Sequence, residues 1–402
     1  MNNSLIAEKR IDKYSMLPGM EFLVDICVYL TLFSNFFILL GNPLRNNTLV
    51  SFGTRILIIT IILLAVLVFV FSFKRTRVDM VNAWYVALIV SSFMAALTSC
   101  LTGIFNVIVQ YVCFIMLPSY AVIFRNARNT KRLKNIIYIA NILYCYIYIY
   151  FYFSDKSHIY YGVYGERILD ELTLGYRNPN EAGMYLMLSF VVIFSYAIKS
   201  SNILFKVLNL ALSAFLIVMI WQTNSRTCFI LSALLVLFAF FKLINKVNKN
   251  FVNIVFLMPL AFAVLTMAFP EFFENLMIFG ESASIGRTLI YKKYMNELNL
   301  KEFFFGNFLK YPGSNLHNSY ISVVAMFGFP VFLIFIKYLR TIVFEYKNRI
   351  LDSQNHVAFF GILMVILHGI AEGTLMVSGS VYAGIAGILF ILMLPDNEEK
   401  KA

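Results

Sequence analysis

The sequence predicts an all-α protein, a polytopic transmembrane helix bundle in which residues 1–402 form one integral membrane domain. Two observations carry this prediction. Of the 402 residues, 60% are hydrophobic and only 13% are charged, whereas soluble domains carry roughly 25% charged residues. The apolar residues also fall into runs close to the ~20 residues that a bilayer-spanning helix needs. We therefore expect most of the chain to lie in a lipid bilayer.

The apolar runs divide the chain into about twelve predicted spans. In order, they cover residues 20–40, 52–73, 79–98, 103–124, 135–153, 180–198, 203–221, 227–244, 251–269, 317–338, 356–375 and 379–394. Two of the connecting loops, 154–179 and 270–316, are too long to be simple turns. Loops of that length usually carry function, so we expect functional residues in or beside them.

The Lys and Arg residues of the loops predict the orientation. If the N-terminus is cytoplasmic, two thirds of the 33 Lys and Arg residues fall in cytoplasmic segments. Nearly half of the remainder fall in the longest outer loop, where the rule has little force. The prediction is a multi-pass protein with both termini cytoplasmic and with loops 154–179 and 270–316 outside. The net charge of +12 is spread over short loops, so it reflects topology and does not predict a nucleic-acid partner.

The large loop 270–316 contains a predicted amphipathic helix. Its apolar residues recur at helical spacing: Ile290, Tyr291, Tyr294, Met295 and Leu298. Its polar residues lie on the other side: Lys292, Lys293, Asn296 and Glu297. Such a helix rests on the bundle or on the membrane interface.

Five separate segments bring a charged or titratable group to the outer side in this topology. Arg177 lies where the first long loop enters the sixth span, and Arg226 lies in the short turn after the seventh. Arg287 begins the amphipathic helix, His317 begins the tenth span, and Glu372 lies near the outer end of the eleventh. The predicted functional site consists of these groups.

Each group also has a structural interpretation. Arg177 can cap the preceding loop, and Arg226 can be an interfacial anchor, because arginines commonly extend to the membrane surface. His317 can be a helix cap bonded to the backbone. Glu372, which is costly near the membrane unless it is paired, can form a salt bridge with one of the arginines.

Together the groups suit a particular chemistry. Guanidinium groups bind phosphate oxygens in a bidentate manner, so Arg177, Arg226 and Arg287 could hold a diphosphate whose lipid tail stays in the bilayer. The imidazole of His317 can take a proton from an attacking hydroxyl, and the helix-start amides from Asn318 to Tyr320 favour a nearby anion. Glu181 and Glu372 are on different segments and no D-x-D pair occurs in the long loops. We therefore expect no metal and no cofactor.

Four motifs resemble those of a known family. They are RNPNEAG at 177–183, NSRT at 224–227, SIGR at 284–287 and G-x-x-x-x-YPGSNLHNSYISVVAMFG at 306–328. Their order, their common side and the span layout resemble the superfamily of O-antigen ligases and Wzy-type polysaccharide polymerases of bacterial inner membranes. The chain departs from that family in having Tyr291 where a Trp often follows the loop arginine. It also has NSRT where a small-residue SRG turn is common.

The resemblance implies an all-helical fold and metal-free transfer of a glycan from an undecaprenyl diphosphate carrier to a hydroxyl. By position, His317 matches the family's proposed base. Arg287 matches the large-loop arginine, and Arg177 and Arg226 match arginines proposed to bind diphosphate. Asn318, Tyr320 and Glu372 are expected to support them. The implied partners are the lipid-linked glycans, the lipid bilayer and a chain-length regulator protein, and the implied location is the bacterial inner (cytoplasmic) membrane with an extracytoplasmic active site.

The leading hypothesis is a glycosyltransferase that polymerises O-antigen or capsular repeat units, as part of polysaccharide or lipopolysaccharide biosynthesis. The second is a ligase that moves finished glycan onto an acceptor. The third, from another class, is a flippase or transporter for lipid-linked sugars. Transporters need charge along a path through the membrane interior, whereas the charges here crowd one face.

Overall fold

A computed structural model describes residues 20–73, 80–98, 104–125, 127, 129–162, 165–176, 178–241, 243, 248–269, 272, 275, 277–278, 281–282, 287–307, 310, 316–350, 353–372 and 380–396. The helices are α1 (Met20–Gly41), α2 (Asn47–Phe73), α3 (Met80–Thr98), α4 (Ile104–Phe124), α5 (Thr130–Tyr152), α6 (Pro179–Lys199), α7 (Ile203–Gln222), α8 (Arg226–Phe240), α9 (Lys249–Ala268), α10 (Arg287–Glu297), α11 (Leu300–Phe305), α12 (Ser319–Phe327), α13 (Phe329–Lys347), α14 (Ser353–Ala371) and α15 (Ser380–Leu392). Two short antiparallel strand pairs accompany them, β1 (Ile159–Gly162) with β2 (Gly165–Ile168) and β3 (Met277–Ile278) with β4 (Glu281–Ser282).

The fold is the predicted helical bundle, with the two strand pairs as an addition in the long loops. Among the described residues, 7 helices are long and apolar enough to cross a membrane. They contain the windows Phe22–Gly41, Asn47–Leu64, Met80–Leu97, Thr130–Tyr152, Pro179–Lys199, Ile203–Gln222 and Gln354–Ala371. The chain is therefore a membrane protein. The count of about twelve spans and the side on which each loop lies stay predictions.

The predicted tenth span, 317–338, is two helices rather than one. Helix α12 ends at Phe327 and helix α13 begins at Phe329. Gly328 joins them with a φ of 87°, a conformation that glycine adopts without strain. Hydropathy could not locate this break, because the residues on its two sides are similarly apolar.

Helices α6 and α14 form the centre of the bundle. In their apolar windows 83% and 78% of the residues are buried, against 28% for α7. Close packing between them depends on small residues. A Cβ on Gly361 of α14 would lie 2.5 Å from Cγ1 of Val191 on α6, so glycine is required for this approach.

These two central helices run antiparallel. Asn180 near the start of α6 bonds Glu372, which follows the end of α14. Lys199 at the end of α6 bonds Gln354 at the start of α14. A helix rises 1.5 Å per residue, so the two contacts lie about 30 Å apart, close to the thickness of a bilayer core.

A carboxylate lies between two lysines at the end of the bundle away from Glu372. Lys134 donates to Asp396 Oδ1 at 2.6 Å and to the carbonyl oxygen of Leu394 at 2.6 Å. Lys199 pairs with the second Asp396 oxygen and donates to Gln354 Oε1 at 2.9 Å. We call Lys134, Lys199, Gln354 and Asp396 the Asp396 cluster. Burial raises the pKa of Asp396, but the hydrogen bonds and charges of both lysines outweigh burial and lower it below the ordinary 3.8.

The amphipathic helix is present as α10 and rests on the bundle. Tyr291 and Tyr294 are each 3% exposed and pack with Leu316, Ile321 and Ala325. The polar residues of the other face are exposed: Lys292, Lys293, Asn296 and Glu297. Met295, predicted on the apolar face, is 41% exposed, because it lies at the edge between the two faces.

Candidate functional site

In the part of the chain that the structure describes, three other segments meet at Glu372. Its Oε1 accepts hydrogen bonds from Arg287 Nη2 at 2.5 Å and from Asn180 Nδ2 at 3.0 Å. Its Oε2 lies 3.4 Å from His317 Nδ1. These partners come from the start of α10, the first turn of α6 and the residue pair before α12. We call Asn180, Arg287, His317 and Glu372 the His317 cluster.

The structure thus brings together three of the five predicted charged or titratable residues, Arg287, His317 and Glu372. It also forms the salt bridge between Arg287 and Glu372, which was the structural interpretation of Glu372. The two interpretations are compatible, because the carboxylate uses one oxygen for the arginine and the other for the histidine.

His317 has an uncommon backbone conformation. Its φ is 45°, in the left-handed region that few non-glycine residues occupy. Asn318, rather than His317, caps α12, because Asn318 Oδ1 accepts from the backbone amides of Tyr320 at 2.9 Å and Ile321 at 3.0 Å. The interpretation of His317 as the cap is therefore wrong. The His317 side chain is 42% exposed, so a reactant can reach it.

The same contacts correct the prediction that the amides from Asn318 to Tyr320 attract an anion. The Tyr320 amide donates to Asn318 Oδ1, and the Ser319 amide donates to the carbonyl oxygen of Glu372 at 3.2 Å. These two donors are already occupied within the protein. A phosphate near His317 would have to be held by side chains.

Asn318 and Tyr320 support the cluster by tying α12 to α14. Asn318 Nδ2 donates to the carbonyl oxygen of Ile370 at 2.8 Å. The Tyr320 hydroxyl, which is buried, donates to the carbonyl oxygen of Ile366 at 2.7 Å. Both acceptors lie on α14 shortly before Glu372, so these bonds fix the start of α12, and with it His317, relative to the carboxylate.

Glu372 is ionised at neutral pH in spite of its burial. Burial raises its pKa, but the hydrogen bond with His317 and the charge of Arg287 outweigh burial and bring the pKa below the ordinary 4.5. A carboxylate only accepts hydrogen bonds, so in a neutral ring His317 Nδ1 carries the proton. The second ring nitrogen, Nε2, then has the lone pair. This is the arrangement of a general base oriented by a carboxylate.

The RNPNEAG motif builds the beginning of α6. Asn178 caps the helix, with its Oδ1 accepting from the Asn180 amide at 2.9 Å. Pro179 occupies the first turn, where a missing amide proton costs little. Asn180 can then reach Glu372. Arg177 lies outside the described residues, as do residues 284–286 and 311–315 of the other motifs, so its role stays a prediction.

Arg226 is the first residue of α8, and the turn before it packs against α6. A Cβ on Gly183 would lie 2.7 Å from Ser225 Cβ and 3.1 Å from Thr223 Oγ1. Gly183 is one turn from Asn180, so this turn adjoins the His317 cluster. Among the described contacts, Arg226 lines a neighbouring cavity of about 920 Å³, whereas Arg287 belongs to the cluster itself.

Sequence reasoning missed several residues. Asn180 belongs to the RNPNEAG motif but is not among the predicted site residues, although an amide one residue after a helix-starting proline is well placed to face a neighbouring segment. Asp170, Glu171 and Trp221 line the same cavity as Arg226. An acidic pair in a long loop, and a tryptophan directly before the arginine turn, were the signals that could have identified them.

Comparisons with known proteins add no support for the family resemblance, which therefore rests on the four motifs. No family model, curated protein or solved structure matches the chain.

Proposed function

We propose that the chain is a polymerase that joins undecaprenyl-diphosphate-linked oligosaccharide repeat units, of O-antigen or capsule, at the outer face of the bacterial cytoplasmic membrane. The observation that supports this best is the exposed His317 side chain, whose Nδ1 faces the ionised Glu372. That arrangement leaves Nε2 as a proton acceptor at one end of the helix bundle. Substrates anchored in the surrounding bilayer could reach it there.

In the proposed reaction, an acceptor sugar hydroxyl gives its proton to His317 Nε2. Its oxygen then attacks the anomeric carbon of the donor, and the bond from that carbon to the diphosphate oxygen breaks. The new glycosidic bond forms as undecaprenyl diphosphate leaves with the electron pair, so the anomeric configuration inverts. Glu372 stabilises the imidazolium that forms.

The leaving diphosphate needs positive charge in place of a metal. Arg287 uses Nη2 to bind Glu372, but a guanidinium has five N–H donors. Binding Glu372 therefore leaves capacity for phosphate oxygens, and the salt bridge orients the group. Arg226, at the start of α8, and Arg177 are proposed to bind the same diphosphate.

The ligase is a second candidate, because the same base and the same diphosphate grip serve transfer of a finished glycan. The product separates the two. A deletion strain that makes only single-repeat product supports polymerase, whereas long unattached chains support ligase.

The test is His317→Asn, introduced into a strain that lacks the chromosomal copy. Asparagine tolerates a positive φ, so this variant removes the base without adding backbone strain. General-base catalysis contributes about 10²–10⁴-fold, so polymer on a gel should fall at least about 100-fold at equal membrane protein. The matched control is His356→Asn, at the opposite end of α14, which should keep full activity. Polymer of normal amount and length from His317→Asn would refute the mechanism.

A further inference from the structure

A cavity of about 920 Å³ lies between the loop that follows α5 and the turn that joins α7 to α8. Among the residues that the structure describes, its lining includes three aromatic residues, Tyr152, Trp221 and Phe229, two acidic residues, Asp170 and Glu171, and also His158. Ligand sites usually occupy about 300–1,000 Å³. This cavity is at the upper end of that range and has room for an extended ligand rather than one small ion.

Backbone hydrogen bonds fix the segment of the cavity wall that carries the two acidic residues. The amide of Leu172 donates to the carbonyl oxygen of Gln222 at 2.8 Å, and the amide of Leu169 donates to the carbonyl oxygen of His158 at 2.9 Å. These bonds lie directly on either side of Asp170 and Glu171. The backbone of the acidic pair is therefore fixed against the end of α7.

The lining combines apolar faces with hydrogen-bond acceptors. The Trp221 side chain is 54% exposed, and its ring meets that of Phe229 edge-on at 4.7 Å. An aromatic face can cover the C–H face of a sugar ring, and carboxylates accept hydrogen bonds from hydroxyl and ammonium groups. A membrane-interface tryptophan needs no carboxylate beside it, so this combination favours a sugar over a lipid.

The charge of the wall further restricts the sugar. The described lining has two carboxylates, from Asp170 and Glu171, and one guanidinium, from Arg226, so a ligand carboxylate beside the acidic pair would meet an excess of like charge, which selects against it. Arg226 lies in the same wall, where the proposed function places the donor diphosphate. The first sugars after that diphosphate would then extend toward Trp221.

We infer that this cavity is a saccharide subsite that accepts neutral and amino sugars and rejects uronic acids. The inference rests on the proposed function for the identity of the ligand as a glycan. It adds the class of sugar that the site selects and the residues that select it.

Tryptophan fluorescence can test this directly, because Trp84 and Trp221 are the two tryptophans of the chain. In Trp84→Phe protein, Trp221 is the only reporter. The protein is placed in lipid nanodiscs, since maltoside detergents would themselves compete for a sugar site. Chitotriose should shift the emission saturably, and trigalacturonate should bind at least about 10-fold more weakly. Trp221→Phe protein, which reports through Trp84, should respond to neither.

The doubly neutralised variant Asp170→Asn/Glu171→Gln, in the Trp84→Phe background, tests the selection itself. It should narrow the difference between the two oligosaccharides to below about 3-fold. An unchanged difference, equal binding of both compounds by the unmodified cavity, or no response of Trp221 to either compound overturns the inference.

The polymer assay and the sugar titration of His317→Asn test the proposed function and the saccharide subsite independently. Adding His317→Asn should leave the chitotriose titration unchanged, since His317 does not line the cavity in the described structure. Normal polymer from His317→Asn with a positive titration would refute the polymerase and retain the subsite. Loss of polymer with no titration would do the reverse.

Discussion

Each end of the α6–α14 pair has a carboxylate that lies between positively charged or titratable partners. The two ends differ in whether one of those partners also has a proton-accepting atom. In the Asp396 cluster, Lys134 and Lys199 bind the carboxylate and also a backbone carbonyl and Gln354. In the His317 cluster, one partner is an imidazole, which has a second ring nitrogen and a side chain that is 42% exposed.

This difference separates a structural ion pair from a candidate reaction centre. Both lysines of the Asp396 cluster act only as positive charges and hydrogen-bond donors, although their exposure differs: the Lys134 side chain is 2% exposed and the Lys199 side chain is 36% exposed. His317 keeps a proton acceptor on the side away from Glu372 and sits on a left-handed backbone. Strained conformations of this kind concentrate at functional sites. The presence of charged residues alone would have predicted a functional site at both ends of the α6–α14 pair.

The largest expected effect comes from the same substitution, acid to amide, at the two ends. Glu372→Gln removes the charge that fixes the His317 tautomer and stabilises its protonated form, so polymer formation should fall by about 10²-fold or more. Asp396→Asn should leave activity per folded molecule within about 2-fold. Because it weakens the partners of the buried Lys134, it should cost about 1–3 kcal/mol of stability. Polymer assays and thermal unfolding of the purified proteins measure the two quantities.

If Glu372→Gln and Asp396→Asn lose activity only in proportion to folded protein, the two clusters are equivalent. The contrast between a reaction centre and a structural pair would then be wrong. Immunodetection in isolated membranes supplies the amount of folded protein for this normalisation.

The sequence predicted the bundle better than it predicted the site. Apolar windows are local, so the positions of α6 and α14 could be found from hydropathy. The contacts of Glu372 join residues that are 192, 85 and 55 positions apart. Spacing along the chain does not say which loops meet, so motif order and loop charge were needed to group Arg287, His317 and Glu372.

Other features could not be predicted from the sequence because they also depend on contacts between distant segments or on backbone conformation. Asn180 was missed because its partner lies on another helix. The use of the Ser319 amide by Glu372 and the cavity beside Arg226 arise from how segments pack. The break at Gly328 was missed because a glycine within an apolar run does not reveal its φ.

A smaller effect is expected from adding one methyl group at each of two glycines. Gly183→Ala would bring a Cβ to 2.7 Å from Ser225 Cβ, so the turn that carries Arg226 must move. Misplacing a binding group by about 1 Å can cost up to about 100-fold, and we expect about a 10-fold loss of polymer here. Gly361→Ala, whose Cβ would lie 2.5 Å from Val191, should cost about 1–3 kcal/mol of stability through overpacking.

Activity per folded molecule distinguishes the two glycine variants. Gly361→Ala should stay within about 2-fold of the unmodified protein after normalisation. An equal loss in both variants would mean that general packing, rather than the position of Arg226, governs the reaction.

The smallest expected effect is the dependence of thermal stability on pH. The folded pKa of Glu372 is below the ordinary 4.5 and that of Asp396 is below 3.8. A carboxyl with a lowered folded pKa adds stability that is fully present above its unfolded pKa and is lost as the pH falls through the folded value. The Tm should therefore be insensitive to these groups from pH 8 to about 5. It should fall first by the Glu372 contribution as the pH drops below 4.5, and then by the Asp396 contribution.

Thermal unfolding of the Glu372→Gln and Asp396→Asn variants assigns the two steps. Each variant should lack its own step and keep the other. A Glu372→Gln deficit in Tm that stays constant down to pH 3 would contradict the lowered pKa.

The paired glycines at 306 and 328 determine where the chain can change length. A Cβ on Gly328 would lie 2.2 Å from the carbonyl oxygen of Phe304, and one on Gly306 would lie 2.4 Å from that of Met326. This contact clamps the end of α11 to the end of α12. A residue inserted within α12 would rotate the helix start by about 100° against the clamp and turn His317 from Glu372. Insertions and deletions among related chains should accordingly be absent from 319–327.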